Sequence, residues 1–308
     1  MSPLFADVLS PDGFYSTRSL LGHATVRLKV SGIESPSQEA RLILAWAAGC
    51  GPMGLLRLEG LEGPPLAHFI SALGQRCSHV PWAYVTGQRD FWSLTLNVNR
   101  DTLIPRPDSE TLIEALLAQV EECFGGAGGV RTILDLGTGS GCLLLAALRE
   151  CPQAWGVGVD ISARAARQAQ ANAARNGLAG RAAFMVGSWA EALGRGQGGF
   201  DVVLSNPPYI RQDEMPHLMA EVRDHEPWRA LVAGQDGLQA YQELCTALPE
   251  LMAPHGCAIL ELGQGQRDAV SALAAQQGLG VVACLRDLGG VERALVLRHA
   301  HADQPQTT

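Results

Sequence analysis

Ile133-Leu134-Asp135-Leu136-Gly137-Thr138-Gly139-Ser140-Gly141 is a short apolar run that breaks into a glycine turn and then continues, from Cys142 to Glu150, as an apolar helical segment. Strand, glycine turn and helix in that order open a ligand-binding α/β sheet, because glycines permit the tight turn and let backbone approach a ligand closely. The spacing is Gly-x-Gly-x-Gly, not the Gly-x-Gly-x-x-Gly that cradles a dinucleotide pyrophosphate. Asp135 sets a negative charge at the mouth of the turn, which repels a phosphate and attracts a cation. The next apolar run, Val157-Gly158-Val159, ends in Asp160, 19 positions after Gly141, where an acid can accept from ribose hydroxyls. A cationic, ribose-bearing cofactor without phosphates satisfies all three features, and S-adenosylmethionine is such a molecule. The competing reading is a structural turn with a solvated Asp160.

Downstream, strands and helices alternate. Strands are expected at residues 131–136, 156–159, 183–186, 201–205, 257–261, 281–285 and 293–298, and helices at 142–150, 163–176, 239–251 and 266–277. Alternation of this kind specifies a mainly parallel sheet with helices on both faces: a Rossmann-like, seven-stranded α/β domain. Only a short connection containing Gly289-Gly290 separates the last two strands. No crossover helix fits there, so this pair is expected to be antiparallel.

Upstream, residues 1–80 read as a small helical domain, with apolar residues at helical spacing in Pro36–Ala48 and Pro65–Cys77. Residues 81–104 read as a β-hairpin arm, on the alternation Leu94/Leu96/Val98. The catalytic domain is expected over residues 105–300; Asp108 or Ser109 caps its first helix, which runs to about Phe124, and Gly125–Gly129 breaks the chain behind it.

The apolar strand Phe200-Asp201-Val202-Val203-Leu204-Ser205 is stopped by Asn206-Pro207-Pro208-Tyr209. Each proline keeps the residue before it extended and offers no N–H of its own. A carboxamide, two bare carbonyls and an aromatic ring are thus left at the carboxyl end of a strand, the edge where open α/β sheets bind ligands. After the third strand, Gly187-Ser188-Trp189 provides an indole that can stack on an adenine face or serve as a half-buried core residue.

Of the 308 residues 47% are hydrophobic and 18% charged, an ordinary globular composition, and the net charge is −8. That balance, with Lys29 the single lysine, disfavours sequence-independent duplex binding. The eight cysteines are scattered without Cys-x-x-Cys spacing, as expected of free thiols in a reducing cytoplasm. Neither a signal peptide nor a membrane span is read in the chain.

With these residues placed, the chain resembles the bacterial release factor glutamine methyltransferases, which N5-methylate the glutamine of the Gly-Gly-Gln loop in peptide-chain release factors. The resemblance covers nearly the whole chain: Phe91-Trp92-Ser93-Leu94, Leu103-Ile104-Pro105-Arg106-Pro107-Asp108-Ser109-Glu110, the glycine turn, Asn206-Pro207-Pro208-Tyr209, Glu226-Pro227 and Asp287-Leu288-Gly289. It implies cofactor contacts at Gly137, Thr138, Gly139, Ser140, Gly141, Asp160, Ser188, Trp189 and Asn206, with the substrate held by Asn206, Pro207, Pro208 and Tyr209. Ser188 departs from the family's usual Asp near the adenine amino group, which bears on cofactor affinity.

An amide nitrogen is a poor nucleophile with two N–H donors. Asn206 Oδ1 and the Pro207 carbonyl are the acceptors expected to orient it, and Tyr209 is expected either to pack against the glutamine side chain or to close off water. No general base is evident: His217, His225 and His255 read as surface residues. Arg106 reads either as an internal ion pair or as a substrate contact. Two rivals share this loop. Glutamine methylation of a ribosomal protein is disfavoured by the Ile-Pro-Arg-Pro-Asp-Ser-Glu wording. Adenine N6 methylation requires an extruded base and suits a basic groove, so no direct nucleic-acid substrate is expected.

Overall fold

The structure, a computed structural model, describes residues 9, 10, 12–193 and 199–300 and divides the chain into two compact units that meet in sequence at Thr86/Gly87. In the first unit, strand β1 (Tyr15–Ser16) leads into helix α1 (Thr17–Val30), then α2 (Pro36–Ala47), strand β2 (Gly60–Leu61), α3 (Gly63–Cys77) and the short α4 (Trp82–Thr86). Ser16 caps α1 by accepting from the Ser19 N–H, and Pro36 starts α2 with its fixed φ. Leu20, Leu28, Ile43, Leu44, Leu66 and Phe69 are fully buried and form the core of this unit.

Helix α4 corrects the expected arm. Its aromatic and β-branched residues read as strand, yet the Pro81 carbonyl accepts the Tyr84 and Val85 N–H groups at 2.9 and 3.1 Å. Trp82 and Val85 then pack on the core of the first unit. The hairpin begins only after Gly87, as β3 (Gln88–Phe91) and β4 (Leu94–Asn97), paired antiparallel.

The second unit continues with α5 (Glu110–Phe124), β5 (Thr132–Leu136), α6 (Cys142–Glu150), β6 (Trp155–Asp160), α7 (Ala163–Arg175), β7 (Ala182–Val186), β8 (Phe200–Ser205), α8 (Ala220–His225), α9 (Gln239–Leu251), β9 (Met252–Glu261), α10 (Arg267–Gln276), β10 (Leu279–Arg286) and β11 (Glu292–His299). Seven strands form one sheet in the order β10-β11-β9-β8-β5-β6-β7, and β11 alone runs antiparallel to its neighbours. The expected antiparallel end of the sheet is thus present, and β11 extends to His299, opposite Leu279.

Period-two alternation splits the sheet residues between two cores. Ile133, Val202, Leu204 and Ile259 face α5 and α6, whereas Leu134, Val203, Ala258 and Leu260 face α9 and α10. Strand order reverses between β5 and β8, each of which leads to its next neighbour on opposite sides. A switch point of this kind opens a crevice beyond the carboxyl ends of the two strands. The glycine turn and Asn206 stand on its two sides.

Among the described residues, no helix is long and apolar enough to cross a membrane.

Candidate active site

The glycine turn is held from behind by two aspartates. Thr138 Oγ1 donates to Asp135 Oδ2 at 2.6 Å, and the Gly139 and Ser162 N–H groups donate to the two oxygens of Asp160 at 2.8 Å each. Gly141, at the start of α6, has φ of +83°, and a Cβ there would stand 3.1 Å from Ala169 Cβ; conformation and close packing both require glycine. Burial pushes the Asp135 carboxyl up to about 7, against the Thr138 hydrogen bond. Burial raises Asp160 as well, opposed by its backbone donors.

Asp135 Oδ1 and Ser140 Oγ are buried without a hydrogen-bond partner among the described residues. Asp135 is buried behind the turn, so its charge favours a cationic group at the turn through space rather than by contact. Asp160 keeps lone pairs beyond those its backbone donors use. The wall therefore fits a cationic, ribose-bearing molecule.

The turn lines a cavity of about 790 Å³, and so do Asp160, Ser188, Trp189, Asn206 and Pro208. Trp189 holds a left-handed φ of +44°, and its ring would touch a Gly137 side chain at 3.4 Å. Its Nε1 donates to Glu243 Oε2 at 2.6 Å. The indole is half-buried against the core below and also borders the cavity.

The Asn206–Tyr209 turn is fastened along its length. Ser205 Oγ donates to the Leu136 carbonyl at 2.6 Å, tying β8 to β5 beside the glycine turn. Asn206 Nδ2 donates to Ser109 Oγ at 3.1 Å, and Ser109 Oγ donates to Glu261 Oε2 at 2.5 Å. Tyr209 Oη lies 3.5 Å from Glu261 Oε1, and the Tyr209 carbonyl accepts from Gln266 Nε2 at 3.1 Å. Burial pushes Glu261 up to about 7 despite the Ser109 hydrogen bond and the nearby Arg293 guanidinium. Among the described residues no group donates to the carbonyls of Pro207 or Pro208.

Most of the expected residues come together; two take other places. Pro207 is buried and Tyr209 half-buried, and neither borders the cavity. The Tyr209 ring packs on the α9–α10 core. Ser109 stands at the N-cap of α5 without making a side-chain cap, because its hydroxyl is drawn to Glu261. Arg106 resolves to an internal pair: its Nη2 donates to Glu226 Oε1 at 2.6 Å, and Glu226 Oε2 accepts the Ile104 N–H. His255 meets Asp201 at the opposite end of β8, away from Asn206.

Glu261 and Trp228 were missed. Glu261 sits at the carboxyl end of β9, next to β8; scanning every strand end for acids finds it. Trp228, exposed and bordering the cavity, had only its place after Glu226-Pro227 as a signal.

Comparison with known proteins places the chain in a family. Residues 108–224 match the family model "Methyltransferase small domain" and residues 19–87 match "PrmC N-terminal domain". The release factor glutamine methyltransferase of Rhodospirillum rubrum is 42% identical over 92% of this chain and 85% of its own. That of Bradyrhizobium diazoefficiens is 37% identical over 97% and 99%. A solved protein-(glutamine-N5) methyltransferase (release factor-specific) from Alicyclobacillus acidocaldarius matches 66% of this chain and 99% of its own, at 27% identity and a TM-score of 0.38; the assignment rests on the sequence matches. On those matches the chain belongs to the release factor glutamine methyltransferase family.

Proposed function

We propose that this protein is a cytoplasmic enzyme that transfers a methyl group from S-adenosylmethionine to the side-chain nitrogen of the glutamine in the Gly-Gly-Gln loop of peptide-chain release factors. The observation that carries the reading is that Asn206 and the glycine turn border one cavity at the switch point of the sheet. The names of the family's members support the choice of substrate.

When bound, S-adenosylmethionine supplies an electrophilic methyl group on a sulfonium. Gly137, Thr138, Gly139, Ser140 and Gly141 would hold the cofactor by backbone approach, with Asp135 buried behind the turn favouring its positive charge through space, Asp160 as an acceptor for ribose hydroxyls, and Ser188 and Trp189 as the residues for its adenine. Asn206 Oδ1 would accept one N–H of the substrate amide at the cavity wall, and the Pro207 carbonyl, set back from the cavity and without a donor among the described residues, would take the second once the amide enters the turn. Holding both donors in that geometry favours the pyramidal transition state, in which the nitrogen lone pair leaves conjugation. Pro208 stiffens the turn, and Tyr209 secures it from behind through Glu261.

The test is to incubate the protein with labelled S-adenosylmethionine and, separately, a release factor, a ribosomal protein and DNA, and to locate the label by mass spectrometry. Label on the Gly-Gly-Gln glutamine is expected. Label on DNA or on the ribosomal protein alone, with none on the release factor, overturns the proposal.

A further inference from the structure

A carboxamide has two ends of similar size and opposite hydrogen-bonding sense, so an Asn used as an acceptor must be kept from flipping. Asn206 has its Nδ2 on Ser109 Oγ at 3.1 Å, and its Oδ1 takes no hydrogen bond among the described residues. Ser109 Oγ has a single proton, and it lies 2.5 Å from Glu261 Oε2. In its ionised form, which prevails above about pH 7, Glu261 only accepts, so the serine keeps its proton and points it at Glu261 while the serine lone pairs face Asn206. Only the NH₂ end of Asn206 can then meet Ser109.

The fold gives up stability for this arrangement. Ser109 stands at the N-cap of a helix of fifteen residues, yet its side chain makes no cap, although a capping serine commonly contributes about 0.5–2 kcal/mol. Glu261 is 1% exposed, and burying a carboxylate is unfavourable unless it is paired and hydrogen-bonded. Register places Leu260 opposite Ser205, so Glu261 is level with Asn206 on the adjoining strand. Local rules broken at one point without a gain in packing mark a functional constraint.

We infer that Glu261, acting through the Ser109 hydroxyl, is a positioning residue that locks Asn206 with its amide NH₂ inward and its Oδ1 free for the substrate. The inference rests on the reading of Asn206 as the substrate's acceptor. Glu261 does not touch the reacting atoms; it fixes the proton of Ser109, and Ser109 fixes the amide. Gln at position 261 could present its own NH₂ to Ser109, freeing the serine proton to point at Asn206 and allowing the amide to flip.

The experiment compares Ser109→Ala, Ser109→Thr, Glu261→Gln, the double variant Ser109→Ala/Glu261→Gln, and Asn206→Ala. Each is assayed for kcat with intact release factor, for S-adenosylmethionine affinity by calorimetry, and for thermal unfolding. Ser109→Ala and Glu261→Gln are expected to lower kcat by roughly tenfold to a hundredfold. Cofactor affinity should change by less than about threefold and the melt should stay cooperative, because neither variant alters the glycine turn. Ser109→Thr, which keeps the hydroxyl, should hold near wild-type kcat. The double variant should be no slower than the worse single variant, since both changes break one chain of hydrogen bonds. Multiplicative losses in the double variant, or near-normal kcat in Ser109→Ala while Asn206→Ala is inactive, overturn the relay. Near-normal turnover in Asn206→Ala instead removes the acceptor reading beneath it, so the two failures are distinguishable.

Discussion

At Asn206 two requirements meet: an acceptor for an amide donor and a backbone that cannot drift. Asn206→Ala removes the acceptor and should cost about 10²–10³ in kcat, as losing one preorganised polar group at a reacting centre commonly does. Asn206→Asp keeps oxygen atoms but adds charge beside the nucleophile and faces Ser109 with an acceptor in place of a donor; it should be comparably slow. Steady-state rates beside a melting curve check both, and a variant that is active and folded would remove Asn206 from the chemistry. Asp135 makes a second prediction. Its carboxyl is pushed up to about 7 by burial, so it is largely protonated below that pH and ionised above it. A cationic ligand prefers the ionised form, hence binding should release a proton below pH 7. Affinity for S-adenosylmethionine should rise by up to about tenfold per pH unit below 7 and level off above it. Asp160 and the Cys142 thiol are the other titrating groups facing Asp135; the thiol, held up at about 12, stays neutral across this range. Asp135→Asn should flatten the profile in calorimetric titrations between pH 6 and 8; an unchanged slope would assign the proton elsewhere. Both residues were legible beforehand because Asp135 interrupts an apolar run just before a glycine turn and Asn206 follows one at a proline pair. Glu261 was not, since a single acid after Cys257–Leu260 looks like any strand leaving the core.

Elements place these residues, and their visibility followed how cleanly each buries one face. The seven strands were readable because alternate residues serve two cores. Helix α1 was the least visible: Leu20, Ala24 and Leu28 are buried at helical spacing, but Val26 and Val30 on its other side are exposed, so its apolar residues run all round. The hairpin arm shows why element bounds depend on tertiary partners. Asn172 of α7 is fully buried; it accepts from the Asn97 N–H and donates to the carbonyls of Asn97 and Ser140, at 2.8, 3.0 and 2.8 Å. One side chain thus joins β4 to the glycine turn. Asn172→Ala leaves three backbone groups short of a partner and should destabilise the second unit by about 2–3 kcal/mol. Because Ser140 belongs to the turn, the variant should also weaken S-adenosylmethionine binding while release-factor methylation at saturating cofactor changes little. Thermal unfolding with and without cofactor checks this. Loss of stability with cofactor affinity intact would mean that the arm and the turn are held independently.

Over the whole molecule, the two units have separate cores. The core of the first unit draws on residues up to Val85, whereas both cores of the second draw on residues from Phe91 onward. Every residue bordering the cavity lies in the second unit, from Arg100 to Val232. The cavity is thus complete with residues from Gly87 onward, and the resemblance to the family implies docking of the large protein substrate as the role of the helical first unit. A fragment beginning at Gly87 should unfold cooperatively, because it retains the whole sheet and both of its cores. Its S-adenosylmethionine affinity should lie within about threefold of the full chain, a Kd difference of less than about 1 kcal/mol, since every residue bordering the cavity is retained. With intact release factor as substrate, kcat/KM should fall by at least about a hundredfold, expressed mainly in KM, as expected when a binding surface is lost and the reacting groups are kept. Calorimetry and initial-rate measurements on the fragment and the full chain test these three statements. A fragment that methylates release factor as efficiently as the full chain would move substrate recognition into the second unit, to the surface around Trp228 and Arg229 at the mouth of the cavity.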